Sequence, residues 1–218
     1  MKIRIASISL ILCLALGVPA SAAILYDNGP TNGSANALFI DGPGAGPFSQ
    51  TISNGFVATG TGIATSLDFG VWVTSGLTPT TVSWALGTSA FGSEISSGST
   101  PQVGFAFFGA NGFGYDVYTA TVGGLSGLLS SGSTYYLTLG GANDSANSQF
   151  VAWDVNLGPT TCSFAVSGSP VGDCGAGGGN SFTIFSDSNS AVPEPASIVL
   201  FGSGMLCLAA LRRRRLSR

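Results

Sequence analysis

From Ile63 to Val73 the chain alternates: Ile63, Thr65, Leu67, Phe69, Val71 and Val73 fall on one side, and Ala64, Ser66, Asp68 and Gly70 on the other. A period of two is the pleat of a half-buried β-strand, in which successive side chains point to opposite faces. The alternation recurs at Val82, Trp84 and Leu86, at Val103, Phe105 and Phe107, at Tyr135, Leu137 and Leu139, at Val151, Trp153 and Val155, and at Phe182 with Ile184. Between residues 24 and 190 no stretch of useful length repeats with the period of an amphipathic helix. Turn signals separate many of these segments: Asp27-Asn28-Gly29-Pro30, Ser53-Asn54-Gly55, Asn111-Gly112 and Gly140-Gly141. About nine or ten strands are expected, and no helix. The 33 glycines do not make this a disordered chain, because the aromatic and β-branched residues between them suffice for a core. A β-helix would repeat at a fixed short period, which is absent. The expectation is an all-β fold, a single antiparallel β-sandwich of jelly-roll kind.

The two ends differ from this middle. Lys2 and Arg4 precede an apolar run from Ile5 to Val18, closed by Ala20, Ser21, Ala22 and Ala23. That is the pattern of a secretory signal peptide over residues 1–23, removed by signal peptidase after Ala22 or Ala23. The apolar core is shorter than the roughly 20 residues a membrane span needs. The expected division is signal peptide 1–23, ectodomain 24–190 and a C-terminal segment 191–218.

Charge narrows the function. All seven basic residues lie at the ends (Lys2, Arg4, Arg212, Arg213, Arg214, Arg215 and Arg218), and the chain has no histidine. The exported part is a thin polyanion that cannot form an internal salt bridge between side chains. Nucleic acid is excluded as a partner, since phosphate neutralisation needs cations. Of four cysteines, Cys13 leaves with the signal peptide and Cys207 sits in the C-terminal apolar run. Cys162 and Cys174 remain in the exported domain, where an oxidising compartment favours a disulfide worth about 3 kcal/mol. The glycine-rich stretch from Gly168 to Asn180 reads as a surface loop tethered by that bridge.

The C-terminus has its own logic. Residues 196–211 are apolar apart from Ser197 and Ser203, and as a helix they would span ~24 Å against a hydrocarbon core of ~30 Å. The cluster Arg212, Arg213, Arg214 and Arg215 would hold that end in the cytoplasm. Pro193-Glu194-Pro195 cannot extend the helix backwards and forms a stiff step at the outer face. Val-Pro-Glu-Pro-Ala-Ser, a short apolar helix and an arginine cluster together resemble the PEP-CTERM sorting signal of exosortase substrates, over residues 192–216. The resemblance implies that a membrane-embedded exosortase, a cysteine protease-like transpeptidase, reads Pro193, Glu194 and Pro195 and removes the helix. The precursor would then be anchored in the inner membrane of an exopolysaccharide-producing bacterium, and the mature protein would reach the cell surface or extracellular matrix. More loosely, Leu25-Tyr26-Asp27-Asn28-Gly29-Pro30, Phe69-Gly70-Val71-Trp72, the run Gly112 to Tyr118, Tyr135 to Leu139 and Trp153-Asp154-Val155-Asn156 are similar to segments of such proteins, and imply no particular ligand.

The residues that are missing bear on enzymology. Without His or Lys there is no activated serine and no cationic oxyanion stabiliser. A glycosidase pair of carboxylates is the surviving mechanism, with Asp116 and Asp154 as its candidates, but the chain shows no catalytic motif and is expected not to be an enzyme. No cofactor is assigned. Calcium is the one ion the oxygen donors would suit, yet Asn143, Asp144, Ser145 and Asn147 lack the repeated acidic spacing of a calcium loop. The expected role is a non-catalytic surface or matrix component, structural or adhesive in exopolysaccharide or biofilm. The alternative is a carbohydrate-binding module in the same location, with Trp72 and Tyr118 as stacking rings because each falls opposite its strand's main apolar row.

Overall fold

A computed structural model describes residues 22–34, 36–41, 50–99, 103–147, 150–174 and 179–186. Among them there is no helix. The strands are β1 (Ala23–Asp27), β2 (Asn36–Phe39), β3 (Gln50–Val57), β4 (Gly62–Thr74), β5 (Pro79–Gly87), β6 (Ser96–Ser99), β7 (Val103–Ala110), β8 (Tyr115–Leu129), β9 (Thr134–Asp144), β10 (Val151–Gly158), β11 (Thr161–Val166), β12 (Ser169–Asp173), β13 (Gly179–Asn180) and β14 (Phe182–Ser186). The extra strands over the sequence expectation are short: β2, β6, β12 and β13 have two to five residues and no alternating apolar row. Gly168 to Asn180 is therefore not simply a loop, since β12 pairs with β11 as a hairpin.

These strands form two antiparallel sheets, one of eight strands and one of six in the order β12-β11-β3-β9-β5-β6. In the larger sheet β8 runs along one edge of β4 from Gly62 to Thr74, with β7 beyond it. The other edge of β4 is shared: β14 covers Ala64 to Phe69, and β10 covers Val71 to Val73. Gly70 sits at the seam between them. β1 lies outside β14, and β2 lies outside β10.

One core joins both sheets. Leu67, Phe69, Val71, Val122, Trp153 and Phe182 of the larger sheet pack in the same cluster as Ile52, Val82, Trp84, Leu86, Leu137 and Leu139 of the smaller. The alternation in β5, β9, β10 and β14 is thus an inward apolar row, as expected. Several details depart from the expectation; in β7 the row of Val103, Phe105 and Phe107 does not stay inward, since Phe107 is 60% exposed. Against β14, β4 carries one extra residue between Ala64 and Ser66, so Ala64 is fully buried with Leu67 while Ile63 is 51% exposed; such a bulge inverts the phase upstream of it. Ser53-Asn54-Gly55 is no turn but the buried middle of β3, and Gly140-Gly141 lies inside β9, where the pairing with β5 slips and Gly141 has φ 60°.

The positions of the chain ends follow from the register. Ala23 pairs with Ser186, and Ser186 with Ala64 at the start of β4. Both ends of the folded domain therefore leave the sheet side by side. Trp72 lies eight residues further along β4, ~26 Å away at strand rise.

Candidate functional site

The seam beside Gly70 positions everything around it. Asp154 of β10 is fully buried, and its carboxylate accepts from Asn32 N at 3.0 Å, Gly33 N at 3.0 Å and Trp72 Nε1 at 2.7 Å. Burial raises its pKa, and the donors from Asn32, Trp72, Gly33 and Ser181 oppose that rise. The network ties the segment after β1 to the outer side of the larger sheet and fixes the Trp72 indole in one orientation. On the inner side, Asn54 Nδ2 donates to Asn180 Oδ1 at 3.0 Å, Asn180 Nδ2 donates to Trp153 O, and Asn28 Nδ2 donates to Asn180 O. These amides join β3 to β13 across the interior, where an unpaired amide would cost about 1–3 kcal/mol.

Trp72 faces away from the main core, opposite Val71 and Val73, and packs in a second cluster with Val117 and Ala152. It is only 4% exposed. Phe113, from the turn before β8, lies over it with ring centres 5.9 Å apart and planes 20° from parallel. Tyr115 flanks Trp72 and stacks on Phe150 at 4.3 Å, with planes 3° apart, and Phe150 meets the edge of Phe39 at 4.9 Å. Together with Asn36 and Ala37 these rings line a cleft of about 450 Å³. A second cavity of about 430 Å³ also borders Phe113 and is lined in part by Asn32, Ser34 and Asn111. Asn111 Oδ1 accepts from Phe113 N and Tyr115 N, each at 3.0 Å. Its Nδ2 is buried without a hydrogen-bond partner.

The residues expected to form sites are placed as follows. Trp72 is the floor of the cleft rather than an open platform, because Phe113 covers its face. Tyr118 packs against the main core and donates to Leu77 O at 3.2 Å, on the side of the sheet opposite Trp72. The expectation that it lies opposite its strand's main apolar row is thereby corrected: β8 carries Ala120 and Val122 inward with Tyr118, and Val117 outward with Trp72. Asp116 precedes Val117 and so alternates away from Trp72 and Asp154, and its carboxylate accepts from Ser75 Oγ and Gly76 N. The two carboxylates do not face one another. Asn143 and Asp144 end β9 and the turn follows them, with Ala146 N on Asp144 Oδ1, Thr78 N on Ser145 Oγ and Asn143 Nδ2 on Thr81 Oγ1. Among the described residues no group of three or more His, Cys, Asp or Glu is placed to hold a metal. Cys162 and Cys174 form a disulfide, and Cys174 N also donates to Cys162 O at 3.1 Å. The signal peptide, Pro193, Glu194, Pro195, the apolar segment 196–211 and Arg212 to Arg215 lie outside the described residues.

One further carboxylate stands out electrostatically. Asp41 is 6% exposed and accepts from Val151 N at 2.9 Å. Burial pushes its pKa up to about 6, the Val151 N–H partly offsets this, and the charge of buried Asp144 adds to it.

The model of the PEP-CTERM protein-sorting motif matches residues 191–215. The chain carries that sorting signal, which marks an exported exosortase substrate whose precursor is anchored in the membrane and processed to the cell surface. None of the curated proteins matches the chain.

Proposed function

We propose that this exosortase substrate is a non-catalytic component of the cell surface or exopolysaccharide matrix, structural or adhesive in role, whose two sheets form a jelly-roll-like sandwich. The sorting motif at residues 191–215 carries the reading. Signal peptidase would remove residues 1–23, the apolar segment 196–211 would hold the precursor in the inner membrane, and the exosortase would act at Pro193-Glu194-Pro195. The chemistry of the domain fits a passive role: Lys and Arg are confined to the ends, His is missing, no cofactor is called for, and the two strand carboxylates nearest to a glycosidase pair point to opposite sides of the sheet. Solubility rests on hydroxyls, amides and a sparse negative charge. The test is fractionation of cells expressing the wild-type chain or Glu194→Ala. The wild-type protein should reach the surface or medium and the variant should stay in the inner membrane; identical distribution of the two would remove the sorting step from the account.

A second reading, carbohydrate binding in the same location, is favoured by one observation, the aromatic cleft around Phe113 and Phe150.

A further inference from the structure

We infer that the groove divided by Phe113 is a binding site for an uncharged glycan chain, with the aromatic cleft as its stacking half and the Asn111 cavity as its hydrogen-bonding half. This rests on the carbohydrate-binding reading and goes further by fixing the place, the residues and the sugar class.

The rings are an unusual use of apolar surface. Phe113 is 61% exposed and Phe39 38% exposed, although the domain has a core elsewhere in which rings as large or larger, such as Phe182 and Trp153, are fully or almost fully buried. The rings of the cleft are brought together from β2, β4, the turn before β8, the first residue of β8 and the residue before β10. The rings brace one another. Trp72 is locked by Asp154, Phe113 lies on Trp72, and the Tyr115–Phe150 stack supports the opposite wall. Preformed aromatic walls with a few convergent polar groups are what small-ligand sites consist of, and both cavities fall in the usual size range. A pyranose ring presents C–H groups on its face and hydroxyls on its rim, so it needs rings beside amides. The groove provides that mixture: Asn36 in the aromatic half, and Asn32, Ser34 and Asn111 in the other. The Asn111 amide is the sharpest sign. Its oxygen is consumed by two backbone N–H groups, so its orientation is fixed, and its NH₂ is left as a buried donor with no acceptor. Because this nitrogen is sealed from solvent, a sugar hydroxyl would satisfy it only once the Asn111–Gly114 turn shifts to admit the ring.

Charge selects the sugar class. No Lys, Arg or His lies between residues 5 and 211, so nothing in the domain can pair with a uronate, sulfate or phosphate, and the Asp154 carboxylate lies directly behind the floor of the cleft. An anionic polymer would meet only like charge. The groove also lies at the end of β4 remote from the Ala23–Ser186 pair.

The experiment titrates full-length protein in detergent with cellohexaose, maltohexaose and oligogalacturonate, followed by tryptophan fluorescence and calorimetry. At least one of the two neutral hexasaccharides should bind, and oligogalacturonate should not. Phe113→Ala and Phe150→Ala should each weaken binding about three- to tenfold, the scale of one aromatic contact, and Asn111→Ala should weaken it comparably. Phe107→Ala, on the Tyr118 side of the sheet, should leave it unchanged and controls for folding, alongside unchanged thermal midpoints. Neutral binding that survives Phe113→Ala and Phe150→Ala, or binding of oligogalacturonate alone, would overturn the groove while leaving carbohydrate binding standing. No binding to any of the three overturns the groove as proposed, and with it the observation that favoured that reading.

Discussion

Gly70 shows how little room the seam leaves. A Cβ there would lie 2.7 Å from Thr31 Cγ2, 2.8 Å from Asp154 Cβ and 2.8 Å from Ser181 Oγ. Gly70→Ala should therefore cost about 1–3 kcal/mol as an overpacked site, lowering the thermal midpoint by several degrees, whereas Gly112→Ala, which meets nothing within 4 Å, should not. Equal midpoints for both variants would show that the seam yields. Asp41 makes a prediction about pH. Its carboxyl is raised from 3.8 to about 6, so the folded domain binds this proton more tightly than the unfolded chain. The stability linked to it is complete below pH ~4 and is lost as pH rises toward ~6. Asp154, raised by burial, acts in the same direction. The domain should be more stable near pH 5 than at pH 7.5 by on the order of 1 kcal/mol, and Asp41→Asn should flatten the difference. A midpoint that climbs from pH 5 to 7.5 in denaturant titrations would contradict this.

Among the elements, the β11–β12 hairpin depends most on a single covalent link. All five residues of β12 are exposed, so apolar burial contributes little, and the Cys162–Cys174 disulfide holds the strand to β11. Replacing both cysteines by alanine should cost about 2–4 kcal/mol, and it should abolish hydrogen-exchange protection in β12 before β3 or β9 is affected; loss spread evenly over the sheet would mean that the hairpin is not a separate unit. What was legible in the sequence follows the same physics. The rows in β5, β9, β10 and β14 alternate because one face meets the core, and local spacing reveals it. β2, β12 and β13 have no such row, so only their partners define them. Ser53-Asn54-Gly55 looks like a turn because Asn-Gly usually is one, but Asn54 is satisfied by Asn180, 126 positions away, which no local pattern records. Trp72 could be seen to leave the core face of β4. Phe39, Phe113 and Phe150 could not be assigned to it, since the cleft exists only once β2, β8 and β10 are folded beside β4.

For the whole molecule the chain ends set the frame. Ala23 and Ser186 leave the sheet together, and the groove lies at the other end of β4. Because Lys and Arg are absent between residues 5 and 211, the mature protein should give no internal tryptic fragments even when denatured. The sorting signal is central, and one measurement tests it most directly: intact mass with C-terminal sequencing of the protein from envelope and medium, in cells with and without the exosortase. A chain ending near residues 193–197, without the arginines, is expected only where the exosortase is present. Protein ending at Arg218 in both strains and held in the inner membrane would contradict it.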